Sequence, residues 1–158
     1  MNPESTAEHR WLQQLLGEWT FEGAFHMPPD DNNEARTSGT QSFRPLGVWV
    51  MGTMAEPPGG ANDESVISLA FDSEKGRFVG TFLSSMSTHI WLYEGDLDAG
   101  ANSLVLNADG PSMDGTPGTQ HYQDIIDISG PASYVMRSRV ETPDGWVEFM
   151  RLTFTRAA

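Results

Sequence analysis

Leu15-Leu16-Gly17-Glu18-Trp19-Thr20-Phe21-Glu22-Gly23-Ala24-Phe25 is the stretch from which the fold can be read. After Gly17 the side chains alternate. Trp19, Phe21 and Phe25 fall on one side, and Glu18, Thr20 and Glu22 on the other. This period of two marks a strand with one dry and one wet face. Upstream, from Ala7, the spacing changes: Trp11, Leu12, Leu15 and Leu16 recur at helical intervals, with His9, Arg10, Gln13 and Gln14 between them. Glycine is a common helix stop, so Gly17 separates the two patterns. A helix this short is not stable alone, and it is expected to cap one end of whatever the strand joins.

Downstream, strand-like runs follow in series: 37–44, 48–56, 64–72, 77–83, 88–96, 103–108, 120–128, 133–141 and 146–155. A polar loop over Met27–Glu34 and turns at Pro57-Pro58-Gly59-Gly60, Asp72–Gly76, Asp98-Ala99-Gly100, Ser129-Gly130-Pro131 and Pro143-Asp144-Gly145 separate them. Short connections imply antiparallel neighbours. About ten such strands with no long crossover are best accommodated by closure, which removes exposed edges. The expectation is an all-β, up-and-down antiparallel barrel with a short N-terminal helix. Residues 1–6 form a loose end and 7–158 a single domain. A ten-strand barrel is wider than an eight-strand one and has room for a ligand.

Charge narrows the function. The chain of 158 residues carries 22 acidic and 9 basic side chains, a net −13. That field repels phosphate backbones and anionic lipid, so neither nucleic acid nor membrane is an expected partner. Without cysteine there is no disulfide, thiolate ligand or thiol nucleophile. The polar opening Met1-Asn2-Pro3-Glu4-Ser5 lacks a signal-peptide pattern, which suits a cytoplasmic protein.

Turn chemistry suggests registers. Around Pro143-Asp144-Gly145, Met136 falls opposite Leu152, Ser138 opposite Met150, Tyr134 opposite Phe154, Arg137 opposite Arg151 and Arg139 opposite Phe149. The Met/Leu/Tyr/Phe face is assigned to the lumen. The other register stays open, because an anionic ligand could neutralise Arg137, Arg139 and Arg151 there. Around Ser84–Ser87, Phe82 falls opposite His89, Gly80 opposite Trp91 and Phe78 opposite Tyr93. The reverse face, Val79, Thr81, Leu83, Ile90 and Leu92, is also mostly apolar. Something is expected to cover it, either the short helix or a second copy in a homodimer.

His9-Arg10-Trp11-Leu12, Leu16-Gly17-Glu18-Trp19, Gly80-Thr81-Phe82, Ser85-Met86-Ser87-Thr88-His89, Tyr93-Glu94-Gly95, Gly110-Pro111-Ser112 and Phe149-Met150 together resemble the DUF1579 family of bacterial proteins of unknown function. The resemblance runs from about His9 to Arg156. It implies a lipocalin-like, calycin-type barrel and no established activity. It also implies that Gly17, Trp19 and Arg156 close the barrel base, with the cation over the indole face. Arg151 departs from the small polar residue the resemblance implies at that place.

Candidate site residues follow from the inward faces. Phe21, Phe78, Phe82, Trp91, Tyr93, Met136 and Met150, with Trp146, would line the lumen, and His89 and Ser138 would be polar handles. The first reading is a binding module for a small, mostly apolar molecule. The alternative is a cavity enzyme of isomerase or cyclase type with His89 as acid or base, and a further one is an assembly role through the barrel exterior. His26, His89 and His121 lack the spacing of a zinc or haem site, so neither metal nor cofactor is expected. Asp124 falls opposite Arg137, outside the barrel, where an ion pair is the simpler expectation than catalysis with His121. Ser84-Ser85-Met86-Ser87 is not a nucleophile elbow. The loop Pro111–Thr119 is a candidate lid.

Overall fold

Helix α1 (Ala7–Leu12) continues into a single 3-10 turn at Gln13–Leu15, and ten strands follow it in the computed structural model. They are β1 (Gly17–Phe25), β2 (Ala35–Leu46), β3 (Trp49–Ala55), β4 (Glu64–Asp72), β5 (Arg77–Ser84), β6 (Trp91–Asp98), β7 (Ser103–Pro111), β8 (Thr119–Gly130), β9 (Ser133–Thr142) and β10 (Gly145–Arg156). Each pairs antiparallel with its chain neighbours, and β10 returns to β1, so the sheet closes. The structure describes residues 3–26, 34–57, 63–98 and 100–157. Most of the expected 27–34 loop and of the Pro57–Gly60 turn lies outside the described residues.

The helix plugs one end of the barrel. Leu12 and Leu15 are fully buried. Thr6 caps it: its Oγ1 accepts the His9 N–H at 3.2 Å, and its own N–H donates to His9 Nδ1 at 3.1 Å. The segment expected to be loose therefore ends in an ordered cap. His9 is itself buried, and its Nε2 accepts the Phe71 N–H of β4 at 3.2 Å. Trp11 Nε1 donates to Asn102 Oδ1, just before β7, at 2.8 Å.

The foot closes as the resemblance implies. The Arg156 guanidinium carbon sits 4.1 Å from the Trp19 ring centroid. Its nitrogens donate to the carbonyls of Leu16, Gln14 and Pro131 at 2.8, 3.0 and 2.8 Å. Trp19 Nε1 donates to the Leu15 carbonyl at 2.8 Å. Above this latch the lumen is solid: Tyr134 stacks on Phe154 at 4.4 Å, and Trp19 and Phe21 pack on that pair.

Three registers decide what faces inward. In β9–β10, Met136, Ser138 and Tyr134 oppose Leu152, Met150 and Phe154, as expected. A bulge between Glu148 and Met150 then sets Arg139 opposite Glu148 instead of Phe149. The extra residue reverses the alternation. Trp146 therefore lies outside the lumen, beneath Arg139 at 4.7 Å.

In β5–β6, Phe82 opposes Trp91 and Gly80 opposes Tyr93, two residues from the expected register. The parity survives, but β6 begins only at Trp91, so His89 falls off its end. In β8–β9 a bulge between Ile128 and Gly130 sets Asp124 opposite Ser138, one residue from the expected register. A one-residue slip exchanges faces, and Asp124 points into the barrel. No Asp124–Arg137 pair forms. Arg137 bonds Asp127 at 2.7 Å on the outer wall, and Arg151 bonds Glu148 at 2.8 Å.

Candidate functional site

The packed foot gives way, toward the end opposite the helix, to a cavity of about 220 Å³ lined by Phe82, Trp91, Tyr93, Ala108, Tyr122, Asp124, Met136, Ser138, Phe149 and Met150. These positions lie near the ends of β5, β7 and β9 and the starts of β6, β8 and β10. The cavity therefore sits under the hairpin turns. Trp91, Tyr122 and Phe149 form a continuous aromatic wall, with Trp91–Tyr122 centroids 5.0 Å apart at 86° and Tyr122–Phe149 6.1 Å apart at 87°. Such edge-to-face contacts hold rings in fixed orientations.

Asp124 is the polar centre. Tyr93 donates its phenol to Oδ2, and Ser138 donates Oγ–H to Oδ1 at 2.5 Å. Each donor comes from a different strand, and the register of β8 against β9 brings Ser138 across from the carboxyl. Burial pushes the Asp124 carboxyl above the ordinary aspartate range, against the lowering effect of the Ser138 and Tyr93 hydrogen bonds. The Tyr93 phenol is pushed well above its usual value, first by burial and then by the neighbouring carboxylate. It remains a donor.

A second hollow of about 200 Å³ adjoins the first and shares Phe82 and Met150 with it. Its walls include Phe21, Phe25, Met54 and Leu152, and Glu56, Asp63 and Glu64 are among its lining residues. Among the described residues lining either space there is no lysine or arginine.

Of the residues expected in the site, Phe82, Trp91, Tyr93, Met136, Ser138 and Met150 come together around one cavity. Phe21 lines the adjoining hollow. Phe78 is buried at the helix end, against Trp11 and Phe71. His89 lies outside the cavity lining: its ring meets the edge of Trp91 at 4.7 Å, and its Nε2 is 3.1 Å from the Asp109 carbonyl oxygen. His121 sits on the outer wall between Asp109 and Asn107. Among the described residues, no group of histidines and carboxylates is arranged to hold a metal ion. The 111–119 loop borders the site through Tyr122, whose phenol donates to the Pro111 carbonyl at 2.5 Å.

The sequence reading missed Asp124, Tyr122, Ala108 and Phe149. A signal for Asp124 was present: it shares parity with Tyr122, Ile126 and Ile128, all buried. Counting back from the turn overrode that alternation, because the bulge beside Ser129 has no signature stronger than the adjacent glycine. Phe149 enters the cavity through the bulge of β10.

No curated protein matches the chain. Among solved structures, the crystal structure of Rv2717c from M. tuberculosis aligns with a TM-score of 0.63 at 12% identity, covering 98% of this chain and 100% of that one. That likeness concerns the fold alone. A redesigned beta barrel aligns with a TM-score of 0.42 at 13% identity, over 98% of this chain and 100% of the other. The family model for DUF1579, proteins of unknown function, matches residues 4–156, nearly the whole chain. With the match spanning helix, barrel and latch alike, the chain belongs to the DUF1579 family.

Proposed function

We propose that this protein is a binding module that takes a small, mostly apolar molecule into the barrel lumen. The observation that carries the reading is the half-filled interior: solid aromatic core at the foot and about 220 Å³ of space above it. At ~30 Å³ per liquid water, that space equals about seven waters, below the usual ~300–1,000 Å³ of a drug-sized pocket. The guest is correspondingly small. Trp91, Tyr122, Phe82, Met136 and Met150 supply apolar contact, and Ser138 and Asp124 supply the polar end. Methionine side chains adapt to guests of differing shape. The enzyme alternative rested on His89, and His89 does not line this space.

Native mass spectrometry of the chain purified from its own cells tests the reading. The expected result is a non-covalent adduct that an Ala108→Phe variant, with the cavity filled, no longer carries. A bare mass for the wild-type chain counts against it.

A second reading concerns the exterior. Val66, Leu83 and Leu92 are 38%, 47% and 63% exposed on the outer faces of β4, β5 and β6, Val66 opposite Leu83 and Leu92 opposite the neighbouring outward residue Thr81. Helix α1 packs at the barrel end and leaves them uncovered. Two copies joined about a two-fold axis would set this strip against itself. Light scattering at high concentration should give a dimer that Leu92→Glu separates, and a wild-type monomer would remove the idea.

A further inference from the structure

We infer that the cavity is built for a small ligand bearing a protonated amine, with the Asp124 carboxylate as its counter-charge and the aromatic wall as its cage. The inference rests on the lumen-binding reading and adds the chemical class of the guest.

A carboxylate inside a barrel is costly unless it is paired or hydrogen-bonded. Asp124 receives one hydrogen bond on each oxygen, from Tyr93 and from Ser138. An ionised carboxylate has about four lone-pair sites, so about half its acceptor capacity is unused by these two donors. No lysine or arginine among the described lining residues completes it. Both donors are neutral, so the charge itself has no partner in the cavity. The structure thus holds an oriented carboxyl in a largely apolar space, and a cationic guest supplies the group that would complete its ionised form.

The walls agree. Phe82, Trp91, Tyr93, Tyr122 and Phe149 present π systems, which attract an ammonium through their negative faces. A neutral apolar guest gains nothing from the carboxylate, and an anionic guest is repelled by it. The neighbouring hollow repeats the sign, with Glu56, Asp63 and Glu64 in its lining. A cation approaching a chain of net −13 is drawn toward that acidic approach. Burial raises the Asp124 carboxyl, and a cation seated beside it would favour the ionised form again.

Three probes of nearly equal shape separate this inference from the reading beneath it: 2-phenylethylamine, 2-phenylethanol and phenylacetate, titrated against tryptophan fluorescence at neutral pH. The amine should bind at least tenfold more tightly than the alcohol, and phenylacetate more weakly than both. Asp124→Asn should bring the amine's preference over the alcohol, measured on that same variant, down to within about twofold. If the alcohol or phenylacetate matches or exceeds the amine in the wild-type chain, the cationic class is wrong and the lumen-binding reading stands. If no probe binds the wild-type chain, both fall. The wild-type series decides the matter even if the Asn variant fails to fold.

Discussion

Gly110 of β7 lies directly beneath the indole of Trp91: a Cβ at position 110 would stand 2.2 Å from Trp91 Cη2. Real Cβ contacts are never so short, so the indole has its place because residue 110 lacks a side chain. Trp91 in turn touches both His89 and Tyr122, at 4.7 and 5.0 Å. The aromatic wall of the cavity is therefore set by a glycine on the strand next but one in the wall order seen from β5.

Gly110→Ala should push the indole out of position. The overpacking cost is about 1–3 kcal/mol, read as a lower urea midpoint. A changed near-UV circular dichroism band, from a re-oriented Trp91, should accompany it. An unchanged band would mean that the ring does not depend on this contact.

Arg156 and Gly17 form a lock of the same kind at the other end. A Cβ on Gly17 would meet Arg156 Nη1 at 2.6 Å, and its φ of +120° is itself unfavourable to other residues. Arg156→Ala loses the stacking on Trp19 and the bonds to three carbonyls in two segments. About 2 kcal/mol of stability should go with it. Arg156→Lys should recover only part, since an ammonium lacks the planar fork. Gly17→Ala should cost less in the Arg156→Ala background than in the wild type, because the clash partner is gone. Equal costs by urea denaturation would show that the two residues are uncoupled.

His9 fastens the helix to the sheet. Nε2 accepts the Phe71 N–H at 3.2 Å, and Nδ1 faces the helix cap, 3.1 Å from the Thr6 N and 3.0 Å from Thr6 Oγ1. His9→Leu keeps the bulk but leaves the Phe71 N–H without that acceptor. The expected loss is about 1–3 kcal/mol, with faster amide exchange at Phe71. Wild-type protection at that amide would contradict the role.

Asp124 and Asp127 should respond to pH in opposite senses. An unfolded aspartate titrates near ~3.9, and folded Asp124 holds its proton to higher pH because it is buried. Between those values the folded chain binds more protons than the unfolded one, so its contribution to stability is lost as pH rises through the folded value. Asp124→Asn should therefore gain on the wild type as pH climbs from about 4 toward neutrality. For Asp127, burial opposes ionisation, but the bonds from Arg137 and Ser103 outweigh it and the carboxyl titrates below its usual range. Its contribution is present above the unfolded value and lost as pH falls through the folded one. Asp127→Asn should thus cost most near neutrality and least in acid. Urea midpoints across the pH series check both signs.

The parts of the molecule that were legible in the sequence are those governed by local alternation and by turn residues. Trp19 and Phe21 announced β1, Gly17 announced the end of the helix, and the β9–β10 pairing from Tyr134 to Ser138 followed from Pro143-Asp144-Gly145. The site was only half legible. Met136, Ser138 and Met150 were placed on the right face because their register is the expected one, and Phe82, Trp91 and Tyr93 because parity survives a two-residue shift. Asp124 and Trp146 were misplaced because a bulge adds one residue to one strand and exchanges inside for outside beyond it. A bulge depends on how a strand twists against its partner, which is a property of the pair and leaves little trace in either strand alone. His89 was misplaced for a different reason: β6 starts at Trp91, later than its apolar pattern suggests, because the 85–90 segment spends its residues on the turn between β5 and β6.

The most direct test of the account is the set of methionine methyl resonances, recorded while 2-phenylethylamine is added to the wild-type chain. Met136 and Met150 line the cavity, whereas Met86 is 71% exposed at the β5–β6 turn and lies outside the cavity lining. The account predicts saturable shifts at Met136 and Met150, driven by the ring current of a guest held against them. Saturating shifts confined to Met86, or none at Met136 and Met150, would contradict it.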